Sequence, residues 1–250
     1  MKTDRDWTAW GERDPYFGVL SDPQYRAGSI EQTRSGFMDT GDAYVARHLA
    51  EIESFLSPVK RGRALDFGTG VGRIAIPLAR YFDEVVGLDI APAMLREGVA
   101  NAARAGITNV AFLQSDDELS NARGAFDFVH TYIVLQHIPL ERGMPLIRRL
   151  LDRVANDGGV ASIHVNLERR MPLAFKTQYW ARKHIPGANV AANLLRGKSW
   201  REPLMQMNEY SLVNVLETVA AAGFGPSVVN FEDHGLCRTA QIFARRRSAV

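Results

Sequence analysis

Three glycines at alternate positions, Gly68, Gly70 and Gly72, are bracketed by two carboxylates, Asp66 just before them and Asp89 seventeen residues after Gly72. Glycines in a loop let backbone N–H groups approach a ligand closely. A carboxylate at the end of the next apolar run can accept both hydroxyls of a ribose. The chemistry on offer is nucleotide binding. Arg73 stands where the dinucleotide pattern G-x-G-x-x-G requires its third glycine, so a dinucleotide is not the natural ligand. A second group of reactive types, Tyr132, Gln136 and His137, follows the apolar run Phe126–Thr131. A histidine there can take a proton from a hydroxyl or an ammonium group.

Alternating strands and helices must position these residues. Apolar runs at 63–67, 84–89, 110–114, 126–131 and 160–165 read as strands. Helical spacing fits 42–56, 72–81, 92–105 and 140–155. Residues 1–38 read as irregular and aromatic-rich. This alternation predicts an α/β protein with a parallel sheet covered on both faces, the ligand crevice lying at the strand C-termini. After a helix at 210–222, the runs 226–231 and 236–244 are too close for a crossover and must form an antiparallel hairpin. Residues 166–208 interrupt the alternation. They hold eight Lys/Arg against two Glu, with Phe175, Tyr179, Trp180 and Trp200 interleaved, and read as a mostly helical cap.

The run Asp66–Gly72, D-x-G-x-G-x-G, together with Asp89 and the segment Phe126–Pro139 ending Leu135-Gln136-His137-Ile138, resembles the motifs of class I S-adenosylmethionine (SAM)-dependent methyltransferases over roughly residues 61–167. That resemblance implies a Rossmann-like seven-stranded sheet, mostly parallel with a C-terminal antiparallel hairpin and helices on both faces. It implies SAM as cofactor, with S-adenosylhomocysteine (SAH) as product. Asp66, Gly68, Thr69 and Gly70 would line the methionine end, Asp89 the ribose, and Ile90 and Met94 the adenine, with Arg73 a further cofactor contact. Asp116 or Asp117 would lie near the adenine amino group, and backbone around His130–Thr131 near the SAM ammonium. Tyr132, Gln136 and His137 would face the transferable methyl, with Tyr132 and His137 as catalytic candidates. Candidate acceptor contacts are Gln136, His164, Arg169, Arg170 and Tyr16. Tyr16 belongs to a stretch, Trp10–Gly18, that suits a lid.

The expected organisation is an N-terminal extension or lid over 1–60 and a SAM-binding domain over 61–250, with 166–208 as an inserted acceptor cap. The basic cap favours an anionic acceptor such as a nucleotide-linked or phosphorylated sugar, with Lys176, Arg182 and Lys183 as further phosphate partners. A secondary metabolite is the other expected class, with O-methylation preferred over N- or C-methylation. A non-catalytic SAM-binding or partner-binding subunit is the competing reading. A net charge of +2 is too small to imply nucleic acid. The polar N-terminus, the lack of a ~20-residue apolar stretch and a single cysteine, Cys237, suggest a cytoplasmic protein with no membrane span. Cys237 is expected to be a buried structural thiol. Sequence spacing reveals no metal-ligand set, so no metal is expected. The oligomeric state, monomer or homodimer, stays open.

Overall fold

The computed structural model describes residues 2–247; Met1 and 248–250 lie outside the described residues. Seven strands form one sheet in the order β3-β2-β1-β4-β5-β7-β6. They are β1 (Arg63–Phe67), β2 (Glu84–Asp89), β3 (Val110–Gln114), β4 (Phe128–Thr131), β5 (Val160–Arg169), β6 (Phe224–His234) and β7 (Cys237–Arg246). β1 to β5 are mutually parallel, whereas β7 runs antiparallel to both β5 and β6. This is the Rossmann-like methyltransferase sheet that the terminal hairpin foretold.

Central parallel strands bury both faces, so they read as continuous apolar runs. On one face Ala64, Val85, Phe128, Val160 and Phe243 pack against α3 (Ile30–Leu56) and α4 (Ala75–Leu78). On the other, Leu65, Val86, Val129, Ala161 and Ile242 pack against α6 (Leu140–Asp152) and α9 (Leu212–Ala221). β1 turns Ala64 to one layer and Leu65 to the other, as a two-residue period demands. α5 (Pro92–Arg104) links β2 to β3.

The N-terminal region departs from expectation. Residues read as irregular form α1 (Lys2–Arg13) and α2 (Pro15–Val19), and α3 begins at Ile30, not at Asp42. Part of the buried side of these helices consists of small or polar residues, Thr3, Gly11, Gly41 and His48, which hide the apolar stripe. The helix expected over 72–81 shrinks to α4, because Gly72 takes φ 85° and Pro77 supplies no N–H to a helical ladder. In the basic segment, β5 first continues to Arg169, after which α7 (Leu173–His184) and α8 (Ala188–Leu195) follow. Cys237 is half-buried at the start of β7, not fully enclosed. No helix among the described residues is long and apolar enough to cross a membrane.

Candidate active site

β1 delivers the chain into the glycine loop, where the N–H groups of Gly68 and Thr69 both donate to the Leu88 carbonyl, at 2.8 and 2.9 Å. Gly68 (φ 77°) and Gly70 (φ 54°) occupy the left-handed region. A Cβ at Gly68 would lie 2.2 Å from Val134 Cγ2, and one at Gly70 would lie 2.5 Å from Val19 Cγ2. The loop is therefore clasped between the β4 loop and α2, and both positions require glycine. Asp89 ends β2 and ties this loop to the next. Its Oδ2 accepts from Gly70 N and its Oδ1 from Ala91 N, both at 2.9 Å. Burial pushes the Asp89 pKa up to about 6, against the downward pull of these two N–H groups.

At the other end of the crevice, Asp66 Oδ1 meets His130 Nδ1 at 2.8 Å, and His130 Nε2 meets the Tyr44 hydroxyl at 3.0 Å. Asp66 Oδ2 is buried without a partner. Arg73 is also buried, 6% exposed, with its Nε unpartnered. Among the described residues no carboxylate lies within ion-pair distance of its guanidinium, and burial lowers its pKa. An unpaired buried carboxylate oxygen beside an unpaired buried cation is costly unless a ligand completes both. An α-amino acid would do so, with its ammonium on Asp66 and its carboxylate on Arg73. Arg73→Met is therefore expected to weaken SAM binding about 10–100-fold, the loss of a charge-assisted bond. The free protein should keep its melting temperature, because the change removes an uncompensated buried charge. A calorimetric titration and a thermal melt check both; a clear drop in Tm would make Arg73 structural.

Asp66, Arg73 and Asp89 line one cavity of about 990 Å³, counting space open to solvent. Gly68, Thr69, Gly70, Ile90, Met94, Asp116, Asp117, Tyr132 and His137 line it too. Asp116 accepts from Ser120 N at 2.9 Å. Asp117 pairs with Arg142 at 2.6 Å, and Arg142 also holds Asp4 of α1. Arg142 thereby latches the N-terminal helix over the cavity. Trp7 of α1 packs on His137 with ring centroids 4.8 Å apart. Thr3, Asp4, Trp7, Val19 and Arg142 were not recognised from sequence; the mixture of rings and charges in residues 1–20 was the only signal.

His137 Nδ1 lies 2.6 Å from the Gln206 carbonyl, which must accept its proton and so leaves the Nε2 lone pair as the basic site. The Gln136 side-chain amide approaches that Nε2 at 3.3 Å. Burial pushes the His137 pKa down to about 4. Burial, with Glu232 adding to it, pushes Tyr132 up to about 12. Both groups are neutral at pH 7.

Several expected contacts are not brought to the cavity. Thr131 is fully buried within β4, and it is Tyr132, Ile133 and Val134 that reach the wall. Gln136 is buried against His137 and does not line the cavity. Tyr16 anchors the lid instead of contacting an acceptor: its hydroxyl lies 2.7 Å from Glu97 and 2.8 Å from Asn101, and its ring meets Phe37 edge-on at 5.0 Å. Arg169 stacks over Tyr179 at 4.0 Å, and Arg170 is matched by Glu168 and Asp233 at 3.5 and 3.4 Å. His164 lies buried behind Tyr132, with ring centroids 4.8 Å apart. The absence of metal-ligand spacing in the sequence does not hold in three dimensions, where His164, Glu232 and His234 converge.

Residues 64–159 match the family model described as a methyltransferase domain. Among solved structures, the chain resembles magnesium protoporphyrin IX methyltransferase from Synechocystis PCC 6803 with bound SAH, at a TM-score of 0.62 and 21% identity, covering 97% of this chain and 98% of that one. Among curated relatives, the ubiquinone biosynthesis O-methyltransferase of Azorhizobium caulinodans is 31% identical over 133 residues, 53% of this chain and 50% of the relative. The 23S rRNA (uracil(1939)-C(5))-methyltransferase RlmD of Shewanella sediminis is 30% identical over 113 residues, 44% of this chain and 24% of the relative. The chain thus spans half or less of the length of these curated relatives. The matched segment contains the glycine loop, Asp66, Arg73, Asp89 and His137. The lid and the segment after β5 lie outside it.

Proposed function

We propose that this chain is a SAM-dependent methyltransferase that methylates an oxygen of a small-molecule acceptor. The observation that carries this reading is the pair of unsatisfied, opposite charges at Asp66 and Arg73, with Asp89 lining the same cavity. Asp66 and Arg73 would hold the amino-acid end of SAM, Asp89 the ribose, and Ile90 and Met94 the adenine. SAM, when bound, supplies a methyl group already activated on a sulfonium. The chain then has to exclude water, align the acceptor and accept its proton.

Alignment alone lowers the barrier by several kcal/mol. Trp7 and Val19 roof the cavity, and the Asp4–Arg142–Asp117 latch holds α1 in place. A roofed cavity favours a small acceptor over a polynucleotide, and the O-methyltransferase relative favours oxygen. Because Arg169 and Arg170 already have partners, a neutral hydroxyl of a sugar or secondary metabolite is favoured over a phosphorylated one. His137 would act through Nε2, now 3.3 Å from the Gln136 side-chain amide, so that contact must open before Nε2 takes the acceptor proton, and a pKa of about 4 makes it a weak base. His137→Ala is expected to lower kcat about 10²-fold while leaving the KM for SAM unchanged. An unchanged kcat removes the base. The central test is a titration with SAM and SAH followed by a panel of hydroxylated acceptors; if neither ligand binds, the proposal fails.

A further inference from the structure

Behind Tyr132, on the side away from the glycine loop, three ligand-type side chains from two strands converge. His164 projects from β5; Glu232 and His234 project from the end of β6, at the edge where the parallel strands end. Their ligand atoms all lie within 4.8 Å of one another. His234 Nε2 is 2.8 Å from Glu232 Oε2, and the His164 and His234 ring centroids are 5.6 Å apart. His164 Nε2 is sealed from water and has no hydrogen-bond partner. The residue is 1% exposed, so that nitrogen is desolvated with nothing to compensate it. We propose that His164, Glu232 and His234 form a binding site for a divalent transition-metal ion of the zinc type.

Two imidazoles and one carboxylate make a donor set suited to zinc and its borderline neighbours, and ill suited to magnesium or calcium, which prefer all-oxygen ligands. The chemistry of the trio explains what a purely structural cluster leaves unexplained. Entry is open, because the Glu232 and His234 side chains are 34% and 35% exposed. Bonds of about 2.0–2.2 Å to tetrahedral zinc require donor atoms about 3.4 Å apart, so the trio must close by roughly an ångström. The half-exposed β6 side chains can supply that movement.

Loading has one local cost. The Ile133 N–H now donates to His164 Nδ1 at 3.3 Å, which leaves the ring proton on Nε2. Coordination at Nε2 moves that proton to Nδ1 and forces the Ile133 contact to open. Ile133 sits at φ 60°, in a loop conformation that a β-branched residue tolerates poorly, so this is a place where the backbone can give. Three protein ligands leave at least one coordination position for water or for an oxygen of a small ligand.

The test makes no assumption about methyl transfer. The untagged full-length chain, stripped with a chelator, is titrated with Co²⁺ and read by visible absorption, then challenged with Zn²⁺. One equivalent of saturable Co²⁺ binding, displaced by Zn²⁺, is expected. Glu232→Gln and His234→Ala should each weaken binding at least tenfold while the protein still melts cooperatively. His184→Ala, at an exposed histidine on α7, should not weaken it. No saturable binding, or binding unaffected by the Glu232 and His234 variants, overturns the site.

Discussion

Asp89→Ala is expected to weaken SAM and SAH binding by about 10²–10³-fold, with little change in secondary structure. A carboxylate accepting two ribose hydroxyls makes two charge-assisted bonds, each worth about 1.5–3 kcal/mol. The same side chain pins Gly70 N and Ala91 N, so the alanine variant also loosens both loops that frame the cofactor. The raised pKa adds a pH signature. With its carboxyl titrating near 6, Asp89 is only partly ionised below that pH. The affinity of the wild-type protein for SAH should therefore fall as pH drops from 7.5 to 5, whereas the residual affinity of Asp89→Ala should lack that component. Calorimetric titrations at the two pH values check both statements. Wild-type affinity in the variant would mean that the ribose is held elsewhere.

The free protein is expected to lose roughly 2 kcal/mol of stability between pH 7.5 and pH 5. His137 titrates near 4 when folded and near 6.5 when unfolded. Below 6.5 the unfolded chain therefore binds a proton that the folded chain refuses, and stability drains away as pH falls toward 4. His48, buried against Ser162, is pushed down by the same desolvation and acts in the same direction. Asp89 opposes them. Its folded pKa of about 6 exceeds the unfolded value, so protonation stabilises the fold as pH drops through 6. His164, pushed down to about 3 by burial, adds to the loss, and three histidines against one carboxylate leave a net loss. Urea titrations at both pH values should show the midpoint falling, and His137→Gln should flatten the dependence. Stability that stays constant or rises toward pH 5 would contradict the buried, neutral state of these rings.

The parallel part of the sheet was legible because its central strands β1, β4 and β5 are buried on both faces and are written as apolar runs. The terminal hairpin was legible because too few residues separate its strands for a crossover. A lid over residues 1–60 was expected, but its helices α1 and α2 were not legible, because Thr3, Gly11 and Gly18 interrupt the apolar stripe that Trp10 and Tyr16 would otherwise mark. Charge counting likewise misjudged the segment after β5. Eight cations in sequence say nothing of Glu168, Asp233 and the Tyr179 ring, which the fold sets against Arg169 and Arg170.

What the sequence determined by itself was the cofactor half of the site. Gly68, Gly70, Asp66 and Asp89 sit on one βαβ unit, where local backbone geometry and a fixed register place loop and carboxylate relative to each other. Tertiary structure alone decided the rest. Trp7 meets His137, Arg142 joins Asp4 to Asp117, and His164 meets His234 only because elements separated by dozens of residues pack at one sheet edge. Local spacing encodes contacts within a turn or a strand pair; contacts between distant elements depend on packing that no single stretch of sequence contains.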